Sequence, residues 1–147
     1  VRSRRQRQMC IRDREYTVGI IQDDLSKSII AMPIEIIVKK NSNGNRILDY
    51  NIKKNDLEKI CIIKDPIIFE KVSELAKFAF HLLKGRLFGR IDIKMDDKGI
   101  PNFIEANLMP GLQKGYFYRS CSMNLEINYE QMITKISQNA LNHPRKY

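Results

Sequence analysis

The sequence predicts an α+β fold in which an antiparallel sheet is flanked by helices gathered on one side. Three observations predict it. Gly89 to Gly111, GRIDIKMDDKGIPNFIEANLMPG, reads as a β-hairpin, with runs rich in Ile and Phe on either side of the turn-forming cluster Asp96-Asp97-Lys98-Gly99. Two further stretches, Glu15 to Gln22 and Ile29 to Val38, have the β-branched and aromatic content of strands. Between them and the hairpin, Asp65-Pro66 opens an amphipathic segment as an N-cap followed by a proline at the first helical position.

Taken in order, the elements justify themselves as follows. Residues 1–14, VRSRRQRQMCIRDR, resemble the translated read-through of a sequencing-library adapter and are expected to be an artefactual extension. In the strand Ile29 to Val38, Pro33 cannot donate a ladder hydrogen bond and marks an edge or a bulge. Asn41 to Gly44 is a turn. In the helix after Asp65, Ile68, Val72, Leu75, Ala76, Ala79 and Leu82-Leu83 recur at helical spacing, and Gly85 closes it. The last helix starts at Asn128, with Gln131 placed for a capping box. It buries Met132, Ile133, Ile136 and Ala140 before Pro144. His81 and His143 are expected in solvent.

Within the hairpin, side chains alternate between faces. Ile91, Ile93 and Met95 form a core face, and Arg90, Asp92 and Lys94 share the other. On the returning strand Phe103, Glu105 and Asn107 fall together. Pairing Met95 with Ile100 across the turn places Asp92 opposite Phe103 and diagonal to Glu105, within reach of a shared cation. Hard divalent cations take oxygen ligands of this kind, and an arginine two residues before the aspartate adds a donor fork for phosphate. By pattern alone the same face also suits an ordinary solvated hairpin.

The string R-I-D, a turn, then E-A-N-L-M-P-G resembles the metal-binding end of the ATP-grasp ligases, most closely the D-alanine–D-alanine ligase branch. The resemblance implies that residues 15–147 form the C-terminal half of an ATP-grasp domain, one piece of a larger enzyme. It implies ATP and two magnesium ions (or manganese) as cofactors, with Asp92, Glu105 and Asn107 as metal ligands. Arg90 would stabilise the transferred phosphoryl group and the tetrahedral intermediate, and the Gly111 N–H would serve as an oxyanion donor. Glu15, opening E-Y-T-V-G-I-I, matches the family glutamate that accepts from the ATP ribose. Lys53, in D-Y-N-I-K, matches the lysine that reaches the ATP phosphates. The implied reaction joins a carboxylate to an amine through an acyl phosphate, for peptidoglycan biosynthesis, with amino acids or small peptides as substrates. A homodimer is compatible with it. The chain alone is expected to bind nucleotide weakly and to be inactive, since the family's adenine hinge lies upstream. Three departures stand out. Lys54 follows Lys53 where the family has an aromatic, and Lys94 replaces an apolar residue that faces adenine. Tyr116 and Phe117 stand where the family contacts its acceptor, which favours a ligase for another amino acid or peptide.

Composition bounds the alternatives. The chain carries 26 basic and 17 acidic residues, net +9; residues 1–14 hold six of the former and one of the latter, leaving 20 against 16, or +4. That balance suits a polyanionic phosphate ligand and not a nucleic-acid surface, although the raw charge favours a non-catalytic basic binding module. No apolar run is long enough to span a bilayer and no signal-peptide pattern appears. Beyond Cys10, only Cys61 and Cys121 remain, too few for a disulfide framework or a zinc site. The expected compartment is a reducing cytoplasm.

Overall fold

A computed structural model describes residues 14–23, 28–37 and 58–143. Lys53, the turn at 41–44 and all of the 1–14 extension except Arg14 lie outside the described residues. Five strands form one sheet: β1 (Arg14–Gln22), β2 (Ile29–Ile37), β3 (Lys59–Ile62), β4 (Phe88–Met95) and β5 (Pro101–Asn107). Their order is β3-β2-β1-β4-β5 and every neighbouring pair is antiparallel. The helices are α1 (Pro66–Leu82), α2 (Tyr116–Leu125) and α3 (Tyr129–Asn142).

The helices cover both faces of the sheet, not one. Alternation along β1 and β4 produces two apolar faces, and each is covered separately. Tyr16, Val18 and Ile20 of β1 with Ile91, Ile93 and Met95 of β4 pack against Val72, Ala76, Ala79 and Phe80 of α1. On the other face Ile21 and Met32 pack against Phe117, Cys121, Met132 and Ile136 of α2 and α3. The second face is apolar over only part of its length, a signal too short to read from periodicity.

Local chemistry accounts for the element ends. Asp65 Oδ1 accepts from the Ile67 and Ile68 N–H groups, capping α1. The helix stops at Leu82, and Lys84, not Gly85, takes the left-handed conformation (φ 54°). Gly85 is required for another reason: a Cβ there would lie 2.3 Å from the Phe80 ring, while its N–H donates to the Phe80 carbonyl at 2.8 Å. Leu82 and Leu83 sit on the solvent side of the turn and are exposed. Asn128 and Gln131 form the expected reciprocal capping box. In α3 the fourth inward position is Asn139, whose Nδ2 donates to the Gln22 carbonyl at 2.5 Å, and Ala140 is exposed. His143 is half-buried, and its carbonyl accepts from Arg86; His81 is exposed.

Pro33 pairs with Val18 without a register shift, and β3 pairs only with Ile34–Ile37, so Pro33 lies where β2 has no outer neighbour among the described strands. β1 begins at Arg14, whose guanidinium binds Glu35 through two bonds of 2.7 Å. Its pKa is raised, first by the Glu35 hydrogen bond. Beneath it Tyr16 is fully buried, and burial pushes its hydroxyl to about 12.

Gly85→Ala should lower stability by about 1–3 kcal/mol in urea denaturation, because the added methyl overpacks against Phe80; an unchanged midpoint would contradict that contact. Because the Tyr16 pKa is raised on folding from 10.0 to about 12, its stabilising effect is complete below pH 10 and is lost as pH rises towards 12. Tyr16→Phe should therefore shallow the alkaline loss of stability, and an identical pH profile in the variant would refute the assignment.

Candidate functional site

On the α2 side of the sheet the apolar face gives way to polar residues along β1 and β4. α2 approaches β1 at Gly19, where a Cβ would lie 2.8 Å from the Ser120 Cβ. Past that point the same face continues with Thr17 and Glu15 on β1 and Arg90, Asp92 and Lys94 on β4, a polar run that borders Tyr116 at the start of α2. The apolar part of the face is thus held by the helix pair.

The hairpin that carries most of this run departs from the expected register. Asp96 Oδ1 accepts from Lys98 N at 3.0 Å and Ile100 N at 2.8 Å, and Gly99 adopts φ 73°. This longer turn pairs Met95 with Pro101. A β-bulge then intervenes: Ile93 pairs with Phe103 and Asp92 with Glu105, leaving Ile104 without a partner. Asp92 and Glu105 are therefore directly opposite each other, not diagonal. Phe103 pairs with Ile93 of the core face and does not share the Glu105 side.

Two carboxylates opposed across adjacent strands repel unless a cation lies between them. Arg90 supplies that charge. Its Nε and Nη2 donate to Asp92 at 3.1 and 2.9 Å, and Nη2 reaches Glu105 at 3.5 Å. Thr17 Oγ1 donates to Asp92 Oδ1 at 2.5 Å. Arg90 and Asp92 are largely buried, with side chains 18% and 15% exposed, whereas Glu105 is 61% exposed. Asn107 pairs with Arg90 across the strands, and its Oδ1 accepts from Met109 N at 3.1 Å. Glu15 lies on the same face opposite Lys94.

Arg90 and Gly111 also line one recess of about 230 Å³, together with Glu58, Gln113, Tyr116 and Arg119. The Arg90 guanidinium lies 6.0 Å from the Tyr116 ring centre, and the Tyr116 hydroxyl donates to Glu58 Oε1 at 2.7 Å. Burial, then the Glu58 hydrogen bond, raises the Tyr116 pKa. Phe117 borders the recess but its ring is in the core, 5.6 Å from Phe88.

The oxygen donors fit a hard divalent cation in kind: two carboxylates and an amide carbonyl from facing strands. Among the described residues no group of three or more His, Cys, Asp or Glu side chains gathers, so the amide and the ligand's own oxygens would have to complete the shell. Sequence reasoning missed Glu58, which sits in no motif. It also missed α2, because Gly115 caps it without a side-chain bond and its Tyr-Phe-Tyr start does not look helical.

Comparison with known proteins matches this architecture. The family model described as the D-ala D-ala ligase C-terminus matches residues 8–138. Among curated relatives, the D-alanine–D-alanine ligase of Dechloromonas aromatica is 31% identical over 131 residues, 87% of this chain and 40% of its own length. D-alanine–D-alanine ligase B of Clostridium perfringens is 26% identical over 134 residues, 90% of this chain and 41% of its own. The chain thus spans about two fifths of these relatives. In fold it is similar to the Bacillus anthracis D-alanine–D-alanine ligase solved with ATP, with a TM-score of 0.67, 20% identity, and coverage of 89% of this chain and 39% of that one. No helix among the described residues is long and apolar enough to cross a membrane.

Arg90→Met should destabilise the fold by about 2 kcal/mol, since it leaves two opposed carboxylates uncompensated. Adding Asp92→Asn should recover part of that loss in a double-mutant cycle by urea denaturation. Strictly additive losses would show that Arg90 and Asp92 act independently.

Proposed function

Because the chain belongs to the D-ala D-ala ligase C-terminal family and has the fold of the C-terminal half of an ATP-grasp domain, we propose that it supplies the nucleotide and metal side of an ATP-dependent carboxylate–amine ligase. The observation that carries the reading is the opposition of Asp92 and Glu105 across β4 and β5 with Arg90 between them. In this reading the polar run on the open sheet face receives the ATP phosphates, with Glu15 on the ribose and Lys53 on the phosphates by family resemblance.

Asp92, Glu105 and Asn107 would hold magnesium or manganese, which would supply positive charge to a phosphoryl group. Each chain residue has a defined task. The Asp92 carboxylate is held in place by Thr17 and Arg90, so little of it needs to reorganise when a ligand arrives. Arg90 has planar donors directed along the site and keeps a permanent charge, which suits a phosphoryl group or an oxyanion. The Gly111 N–H belongs to the same recess as Arg90, where a developing oxyanion would sit. ATP would phosphorylate a substrate carboxylate, and an amine would then attack the acyl phosphate, releasing inorganic phosphate and forming the amide. Two ions, a D-alanine donor, a peptidoglycan role and a cytoplasmic location are part of the same proposal, by resemblance to the family.

A second reading within the class, a ligase for another amino acid or a peptide, is favoured by Tyr116, whose ring and Glu58 bond occupy the recess wall. The basic-module reading has only net charge behind it.

In a ligase completed with the N-terminal region that the relatives carry, Asp92→Asn and Glu105→Gln should each lower ATP turnover at least about 100-fold. Urea midpoints should change little. Undiminished turnover in both variants would remove the assignment.

A further inference from the structure

Outside the carboxylate–arginine cluster, the group that the fold leaves least explained is Glu58. It is nine-tenths buried, yet it stands immediately before β3 on the wall of the recess that also contains Arg90 and Gly111. One of its oxygens, Oε1, accepts from the Tyr116 hydroxyl at 2.7 Å. The other, Oε2, is buried and has no hydrogen-bond partner among the described residues. Burying half a carboxylate without a donor is costly, and native folds keep such a group where a ligand completes it.

The charge arrangement indicates what that ligand is. Arg90 and Arg119 line the recess together with Glu58, so residues of both charge signs border one small volume. A ligand that carries an ammonium and a carboxylate a few bonds apart matches it; a plain anion would leave Oε2 unsatisfied. Tyr116 fixes which oxygen remains open. Its hydroxyl occupies Oε1, and its ring packs beside Arg90, so the carboxylate cannot swing to pair with the guanidinium without breaking that bond.

We infer that Glu58, oriented by Tyr116, is the binding residue for the primary ammonium of an amino acid or short peptide substrate, with its free oxygen Oε2 taking the charge-assisted hydrogen bond. The inference rests on the ligase reading, whose acceptor must present an amine near Gly111 and Arg90. It assigns the amine-recognising role to this chain's own recess and makes the Glu58 carboxylate the group that selects amines over simple carboxylates, with Tyr116 occupying its other oxygen.

The test uses the 147-residue chain, ¹⁵N-labelled, titrated separately with D-alanine, D-alanyl-D-alanine and propionate, which lacks the ammonium. D-Alanine or the dipeptide should shift the amides of Glu58 and Tyr116–Arg119, with propionate at least about tenfold weaker. Glu58→Gln should erase that difference. Tyr116→Phe, which keeps the carboxylate and opens Oε1, should retain it, and this second variant stands in if Glu58→Gln does not fold. Equal affinity for propionate and D-alanine, no shift from either amine at millimolar concentration, or loss of the preference in Tyr116→Phe would each overturn the inference. Magnesium–ATP titrated into the same samples reads the ligase proposal independently. Nucleotide shifts at Arg90 and Asp92 without amine shifts remove the ammonium site alone; amine shifts with nucleotide shifts centred away from Arg90 and Asp92 count against the ligase reading instead.

Discussion

The bulge at Ile104 is the constraint on which the site depends. One extra residue in β5 moves Glu105 from a diagonal to a facing position against Asp92 and turns Phe103 to the core side. Facing carboxylates repel, and the fold accommodates them by laying Arg90 across both and by hydrogen-bonding Asp92 to Thr17 of the next strand. Three adjacent strands are thereby joined through side chains. The arrangement is internally hydrogen-bonded, and its oxygen atoms are of the kind that a divalent cation takes up.

The second determinant is how much of the sheet α2 and α3 cover. Gly19 admits α2 closely enough to bury Phe117 and Cys121, and burial pushes the Cys121 thiol to about 12, so it stays protonated and inert. The apolar residues Ile21, Met32 and Phe88 end where this helix ends. The polar residues beyond it are not a random solvated surface, because Arg90 and Asp92 are mostly buried and mutually hydrogen-bonded. α1 on the opposite face supplies the rigid support, through an apolar layer running from Tyr16 to Met95.

Much of this was legible in the sequence where a short-range rule applied. Period-two alternation identified Ile91, Ile93 and Met95 as core, Asp65-Pro66 marked the start of α1, and Asn128 with Gln131 marked α3. Legibility failed where distant contacts decide. Register depended on Asp96 closing a longer turn and on the bulge, and neither has a compositional signature in Ile100-Pro101-Asn102. The inward position Asn139 was read as Ala140 because its reason is a carbonyl on β1, far away in sequence. Placement of helices on both faces and the role of Glu58 likewise depend on contacts between residues well separated along the chain. The motif R-I-D with E-A-N was read as one polar face, and Arg90, Asp92 and Glu105 do lie together there.

Paramagnetic broadening by manganese–ATP, recorded on the ¹⁵N-labelled chain, tests the central claim most directly because it detects weak binding and reports position. If Asp92 and Glu105 form a cation site, substoichiometric manganese–ATP should erase the amide signals of residues 90–93 and 104–107 first, while those of α1 persist. Broadening centred elsewhere, or uniform across the sheet, would contradict it.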